Sequence, residues 1–181
     1  PSYLMYRCDK NGDKIRQISF GEANEWDPCV LFDGRIVYTR WDYINRNDTF
    51  YQGLWHTRPD GTGVGHYFGS YTRNPCMSAE SRPIPGTNKI VSTSVGHHSY
   101  TSGSLVIIDT AKGEDGSEPI TRITPETAFP ESESKWPIGV YCTPWPIDET
   151  FYFASFTFDP LVKQGRTQAQ NAYGIYIVDT L

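Results

Sequence analysis

A pattern returning every 50 to 60 residues constrains this 181-residue chain more than any other feature. A repeat of that length is one supersecondary unit, which buries its apolar face only by stacking on its neighbours. Three segments carry β-branched or aromatic residues into a polar end: Arg35-Ile36-Val37-Tyr38-Thr39-Arg40, Lys89-Ile90-Val91-Ser92-Thr93-Ser94 and Phe151-Tyr152-Phe153-Ala154-Ser155. Each reads as a strand. A second strand follows each, beginning at Gly53-Leu54-Trp55, Gly103-Ser104-Leu105 and Tyr173-Gly174-Ile175, and a fourth such motif starts at Tyr3. Asn11-Gly12 and Asp60-Gly61 read as hairpin turns in which both central residues favour positive φ. Short strands come next, over Lys14 to Ile18, Val64 to Phe68 and Pro119 to Ile123. A Pro-bearing strand precedes each first motif: Asp27 to Phe32, Asn74 to Met77 and Val140 to Pro144.

The unit is therefore four antiparallel strands in about 50 residues, the content of a β-propeller blade. The expected fold class is all-β, with 2, 4, 4 and 3 strands in succession. Residues 1–20 end one blade, 21–70 and 71–124 are full blades, and 125–181 is an incomplete one. Ordinary propellers close with four to eight blades. The sequence thus reads as a partial propeller region of a larger ring of about six to eight blades. The absence of Met at position 1 agrees with a piece of something longer.

Composition excludes other classes. Leu, Ala, Glu and Lys are too sparse for a helical bundle or coiled coil. No apolar run approaches the ~18 residues of a membrane-spanning helix. With 16 basic and 21 acidic residues the net charge is −5, which disfavours a nucleic-acid or anionic-membrane partner. Cys8, Cys29, Cys76 and Cys142 include no two within twenty residues of each other, so zinc-ribbon and CxxCH haem sites are disfavoured and no cofactor is expected in this chain. Four separate thiols, mostly buried in strands, are expected; a Cys29–Cys76 disulfide is the alternative.

Several side chains are candidates for ligand binding. His97 and His98 stand in a strand-connecting loop, where two imidazoles could bind a ligand, orient a substrate or hold loop backbone. Adjacent residues diverge in extended chain, so one ion shared between them is disfavoured. Arg40 and Asp42 form a charge-assisted pair on paper, and Trp41 with Tyr43 offers a stacking surface or fills an inter-blade gap. Glu22, Glu25 and Asp27, with Trp26, read as a solvated acidic approach to the first full blade, and Glu131, Glu133 and Lys135 as its counterpart before the last. Ser132 and Lys135 match Ser-x-x-Lys without its companion motifs. Asn47-Asp48-Thr49 matches a glycosylation sequon. The polar stretch 159–172 reads as a surface insertion. No catalytic residue or metal site is assigned.

Some phrases resemble a known family. They are Gly34 to Tyr43, Leu54-Trp55 with Arg58-Pro59-Asp60-Gly61-Thr62, Ser81-Arg82-Pro83-Ile84-Pro85-Gly86, His97-His98 before Gly103-Ser104-Leu105, and Thr143-Pro144-Trp145-Pro146. In this order they resemble the propeller domain of the hydrazine synthase alpha-subunit family and, more broadly, TolB-like periplasmic propellers. The resemblance implies a propeller fold, a periplasmic or extracellular location and a larger bacterial parent protein. Haem chemistry is not carried over, because the family's CxxCH sites are missing. The leading expectation is a non-catalytic scaffold or binding module whose partners are the remaining blades or other copies of the chain. The alternatives are one wall of a haem oxidoreductase completed by other domains, and a glycan-binding or glycan-cleaving propeller.

Overall fold

The computed structural model describes residues 3–21, 24–45, 47, 49–163 and 172–181. Among them are thirteen strands in four antiparallel sheets and one short 3-10 turn at Thr110–Lys112. The first sheet pairs β1 (Tyr6–Arg7) with β2 (Arg16–Gln17). The second runs β3 (Asn24–Val30), β4 (Ile36–Trp41), β5 (Gly53–Thr57) and β6 (Gly65–Phe68), in that spatial order. The third is β7 (Met77–Pro83), β8 (Ile90–Val95), β9 (Ser104–Ile108) and β10 (Ile120–Arg122). The fourth is β11 (Ile138–Pro146), β12 (Phe151–Pro160) and β13 (Gly174–Asp179). The all-β reading and the succession 2, 4, 4, 3 are thus present. The strand before β8 lies later than the sequence pattern placed it, at Met77–Pro83 rather than from Asn74.

Each sheet packs face to face on the next. β7 lies against β3, β4 and β5, and β11 against β7, β8 and β9. The third sheet is therefore covered on both faces, and every residue of β8 is buried. That is why Ser92, Thr93 and Ser94 interrupt its apolar run. Small hydroxyls fit between two sheets: Ser92 pairs with Ser81 at 2.5 Å between Oγ atoms, whereas Ser94 Oγ is buried without a hydrogen-bond partner among the described residues. The main core, Leu31, Val37, Leu54, Phe68, Ile90, Val106 and Ile108 with Tyr67 and Phe129, fills the space between the second and third sheets. β13, by contrast, exposes Ile175 and Ile177 beside an open edge.

The hairpin turns differ from the expected mirror-image type. At Asp9, Leu31 and Arg58 the carbonyl accepts from the glycine three residues on, and only that glycine (Gly12, Gly34, Gly61) has positive φ. This is a type I turn closed by a left-handed glycine, a common three-residue hairpin loop. Asp9 and Asp60 stabilise it by accepting backbone N–H groups two residues on. Gly61 also abuts the preceding sheet, where a Cβ would stand 2.4 Å from the Ile18 carbonyl oxygen.

Two devices repeat from sheet to sheet. First, the residue leading into a third strand bonds the next sheet's first strand. Glu25 N–H donates to Tyr3 O (3.1 Å), Ser78 N–H to Gln52 O (3.4 Å) and Tyr141 N–H to Gly103 O (2.8 Å). Gln52, not Gly53, is therefore the counterpart of Gly103. Second, each first strand bulges at one residue with left-handed backbone: Asp27 (φ 52°), Glu80 (φ 54°) and Thr143 (φ 52°). The Asp27 carboxylate accepts the Glu80 N–H. Glu80 Oε2 in turn accepts the Thr143 N–H at 2.5 Å and the Thr93 hydroxyl at 3.0 Å. The bulges thus form a chain of carboxylate-to-amide bonds across three sheets. Asp27 belongs to a strand and not to a solvated loop, and burial raises its pKa against the opposing pull of the Glu80 N–H and Arg82.

All four cysteines are free thiols, so the alternative Cys29–Cys76 bridge is not formed. Cys76 is buried, with its thiol pushed up to about 12 by desolvation. Cys8 is exposed, and Cys29 and Cys142 are half-buried, so burial is less general than expected.

Candidate functional site

The loop after β8 turns the chain so that His97 and His98 serve different neighbours. Gln52 Nε2 lies 2.7 Å from His97 Nδ1 and also donates to Thr49 O. An amide nitrogen only donates, so His97 Nδ1 accepts and the neutral ring carries its proton on Nε2. Trp41 meets this ring edge-on at 4.8 Å, across the boundary between second and third sheets. His98 is bound on its other side: its N–H donates to Glu131 Oε2 and its Nδ1 to Glu131 Oε1, both at 2.8 Å. A carboxylate accepts, so His98 carries its proton on Nδ1 and, when neutral, presents a lone pair on Nε2. Two adjacent histidines are thereby fixed in opposite tautomers, with ring centroids 4.5 Å apart.

His98, Glu131, Lys135 and Lys163 line a cleft of about 970 Å³ whose apolar wall includes Phe50, Trp136 and Leu161. Both Glu131 oxygens are occupied by His98, and neither lysine makes an ion pair among the described residues. The cleft therefore combines unpaired positive charge among the described residues with apolar lining. Sequence reading missed the His98–Glu131 pair, because the partners are 33 residues apart and join only when the loop before β11 folds back. The left-handed backbone of Glu131 (φ 61°) makes that approach.

Arg40 and Asp42 do pair, Nε to Oδ1 at 2.7 Å, and the guanidinium stands 4.5 Å from the Trp55 ring. They sit apart from the cleft of His98. Trp41 and Tyr43 meet edge-to-face at 5.4 Å, and Trp41 borders a second cleft of about 420 Å³ with Gln52 and His97. The five sequence candidates thus form two groups, linked by the Trp41–His97 contact. Glu22 and Asp48 of the sequon, with 164–171 of the polar stretch, lie outside the described residues. Among the described residues no group of three His, Cys, Asp or Glu side chains is placed to hold a metal ion, and no helix is long and apolar enough to cross a membrane.

Glu25 and Glu133 are also not solvated loop charges. Glu25 lies in β3 and is 4% exposed. Glu133 accepts from Arg122 Nη2, from Asn74 Nδ2 at 3.0 Å and from the Phe129 N–H at 2.9 Å. Partial burial alone would raise its pKa, but these bonds overcome that and hold it at about 2, from an ordinary 4.5. A lowered carboxylate pKa contributes stability above the unfolded value, which is lost as pH falls through the folded one. Stability should therefore drop between about pH 4.5 and 2. Urea titrations of Glu133→Gln should show that acid limb flattened.

No protein family matches the chain by sequence, and no curated protein matches it. Among solved structures, hydrazine synthase of Kuenenia stuttgartiensis superposes with a TM-score of 0.55 at 14% identity, over 92% of this chain. This chain spans 22% of the length of that one. The likeness is one of fold, consistent with a propeller-like stacking of β-sheets.

Proposed function

We propose that the chain is a β-propeller scaffold and binding module within a larger extracytoplasmic bacterial protein, without catalytic activity of its own. Stacked four-stranded sheets and the fold likeness support the propeller reading, with six to eight blades in the complete ring. The location rests on the resemblance of the blades, with the Gly34–Tyr43 and Thr143–Pro146 phrases among them, to hydrazine synthase alpha-subunit-like and TolB-like periplasmic propellers. The observation that carries binding is the cleft beside His98, where Glu131 fixes the imidazole and two lysines without an ion pair among the described residues share the lining with Phe50, Trp136 and Leu161. That arrangement suits an anionic ligand with an apolar body. The lysines hold its charge, and Trp136 and Phe50 cover the remainder.

Phenyl phosphate serves as the probe, with benzyl alcohol as its neutral counterpart. Tryptophan emission should change saturably with phenyl phosphate and lose that response in Trp136→Phe. Lys135→Ala and Lys163→Ala should each weaken binding about tenfold, the size of one lost charge-assisted hydrogen bond. A response that does not saturate, or that is equal for benzyl alcohol, would overturn the binding role of this cleft.

A further inference from the structure

The first strands β3, β7 and β11 share one architecture, yet only β7 and β11 have three strands of a preceding sheet packed on them. β7 lies under the first three strands of the sheet before it, and so does β11. Ahead of β3 stands only the pair β1–β2. The bond from Glu25 N–H to Tyr3 O matches those from Ser78 to Gln52 and from Tyr141 to Gly103. β1 therefore holds the third-strand position and β2 the fourth. Among the described residues nothing fills the first and second positions, so β1 has a free edge and part of β3 lacks a neighbour.

A cleft of about 360 Å³ marks that gap, lined by Leu4, Met5, Ile18, Pro28 and Glu25. Glu25 is 4% exposed, and its Oε2 is buried with no hydrogen-bond partner. Two cations lie near it; Arg40 interacts with it electrostatically, but neither donates to that oxygen. Arg40, opposite Glu25 in the β3–β4 register, bonds Asp42, and Arg7, on the cleft wall, bonds the Pro59 carbonyl. A buried carboxylate oxygen without a donor is costly, and no described residue of the chain supplies one.

We propose that this face docks an antiparallel pair of β-strands from the rest of the native polypeptide, completing the β1–β2 sheet and bringing a hydrogen-bond donor to Glu25 Oε2. The proposal rests on the reading of the chain as part of a larger protein and adds the face and the contacts. The existing interfaces specify the partner's chemistry. Its second strand pairs with the free edge of β1 and carries a hydroxyl at the position of Thr39, whose Oγ1 donates to the carbonyl of Ser78, the counterpart of Glu25. Its first strand bulges at an Asp or Glu that accepts the Asp27 N–H, as Asp27 accepts from Glu80 and Glu80 from Thr143. A second copy of this chain fits less well. Joining β13 to β1 would give three plus two strands and fill the third-strand position twice.

The test uses the native polypeptide. Amides of residues 3–7 should exchange with deuterium as slowly as those of β5, independently of protein concentration. Glu25→Leu should lower the folding equilibrium constant at least tenfold, because it strands the partner's donor. Glu25→Gln, which keeps an acceptor, should fall by less than a factor of three. An uncovered face predicts the opposite sign: Glu25→Leu then removes an unpartnered charge from an apolar cavity and stabilises. Stabilisation by Glu25→Leu, or rapid exchange at residues 3–7, would overturn the docking. Protection that appears only as concentration rises would assign the face to a second copy and overturn the proposed occupant. A native mass of 20.5 kDa would instead refute the larger-protein reading, while a larger mass with a stabilising Glu25→Leu would refute the docking alone.

Discussion

Gly103→Ala should destabilise the fold by at least about 3 kcal/mol, the upper range for forcing extra volume into a packed interior. A Cβ at Gly103 would lie 1.9 Å from the Ser94 carbonyl oxygen and 3.0 Å from Pro130 Cγ and Cδ. The first obstacle is backbone of β8, so no side-chain rotation relieves it. To make room, β9 must move from β8, and Gly103 also exchanges hydrogen bonds with Tyr141 of β11 at 2.8 Å in both directions. One methyl group thus strains both the third sheet and its junction with the fourth. Gly34→Ala is the matched comparison. It has positive φ (86°) and nothing within 4 Å of the added carbon, so its cost should be the left-handed backbone penalty of about 1 kcal/mol. Urea denaturation of the two variants checks the ranking, and an equal effect would mean that the sheets adjust freely around Gly103.

The number and order of strands were legible because alternation and β-branching are local properties. Tyr38, Val91 and Tyr152 announce their strands whatever packs on them. The turns were legible as positions but not as types, since Asp60-Gly61 is compatible with either hairpin geometry and the Pro59 ring decides for the type I form. The bulges left a weaker trace. Asp27 and Thr143 each precede a proline, which removes a ladder donor where the register shifts, but Glu80 precedes Ser81 and carries no such mark. His98 with Glu131 and Gln52 with His97 were invisible for another reason. Their partners are separated by 33 and 45 residues, and only the stacking of one sheet on the next brings them together. The acidic residues around Trp26 and Glu131 were misread as solvent-facing because charge in a Pro-rich stretch is the usual mark of a loop. Here Asp27, Glu131 and Glu133 accept backbone N–H groups, with His98 and Arg122 as side-chain partners, while Glu25 is buried in β3.

Glu80→Ala should cost about 2 kcal/mol at pH 7, the scale of leaving hydrogen-bonding groups without their charged acceptor. The carboxylate collects the Thr143 N–H, the Thr143 hydroxyl at 3.2 Å and the hydroxyl of the fully buried Thr93. It therefore ties the β7 bulge to β8 in its own sheet and to β11 in the next. Burial nevertheless pushes its pKa above the ordinary 4.5, helped by the nearby Asp27 charge and opposed by the bonds it accepts. A carboxylate whose folded pKa is raised contributes its proton-linked stability in full below the unfolded value and loses it as pH rises through the folded one. Glu80 should therefore make the wild-type protein less stable as pH climbs from about 4.5 toward neutrality. That trend is opposite in sign to the acid limb assigned to Glu133. Urea midpoints from about pH 2 to 7 separate the two contributions. Glu80→Ala should lower the midpoint throughout while making the decline above pH 4.5 shallower, and Glu133→Gln should leave that decline intact. If Glu80→Ala changes the midpoint without altering the slope, the carboxylate is a structural acceptor that titrates as it would in the unfolded chain. If it changes neither, the bulge chain from Asp27 to Thr143 does not hold the sheets together.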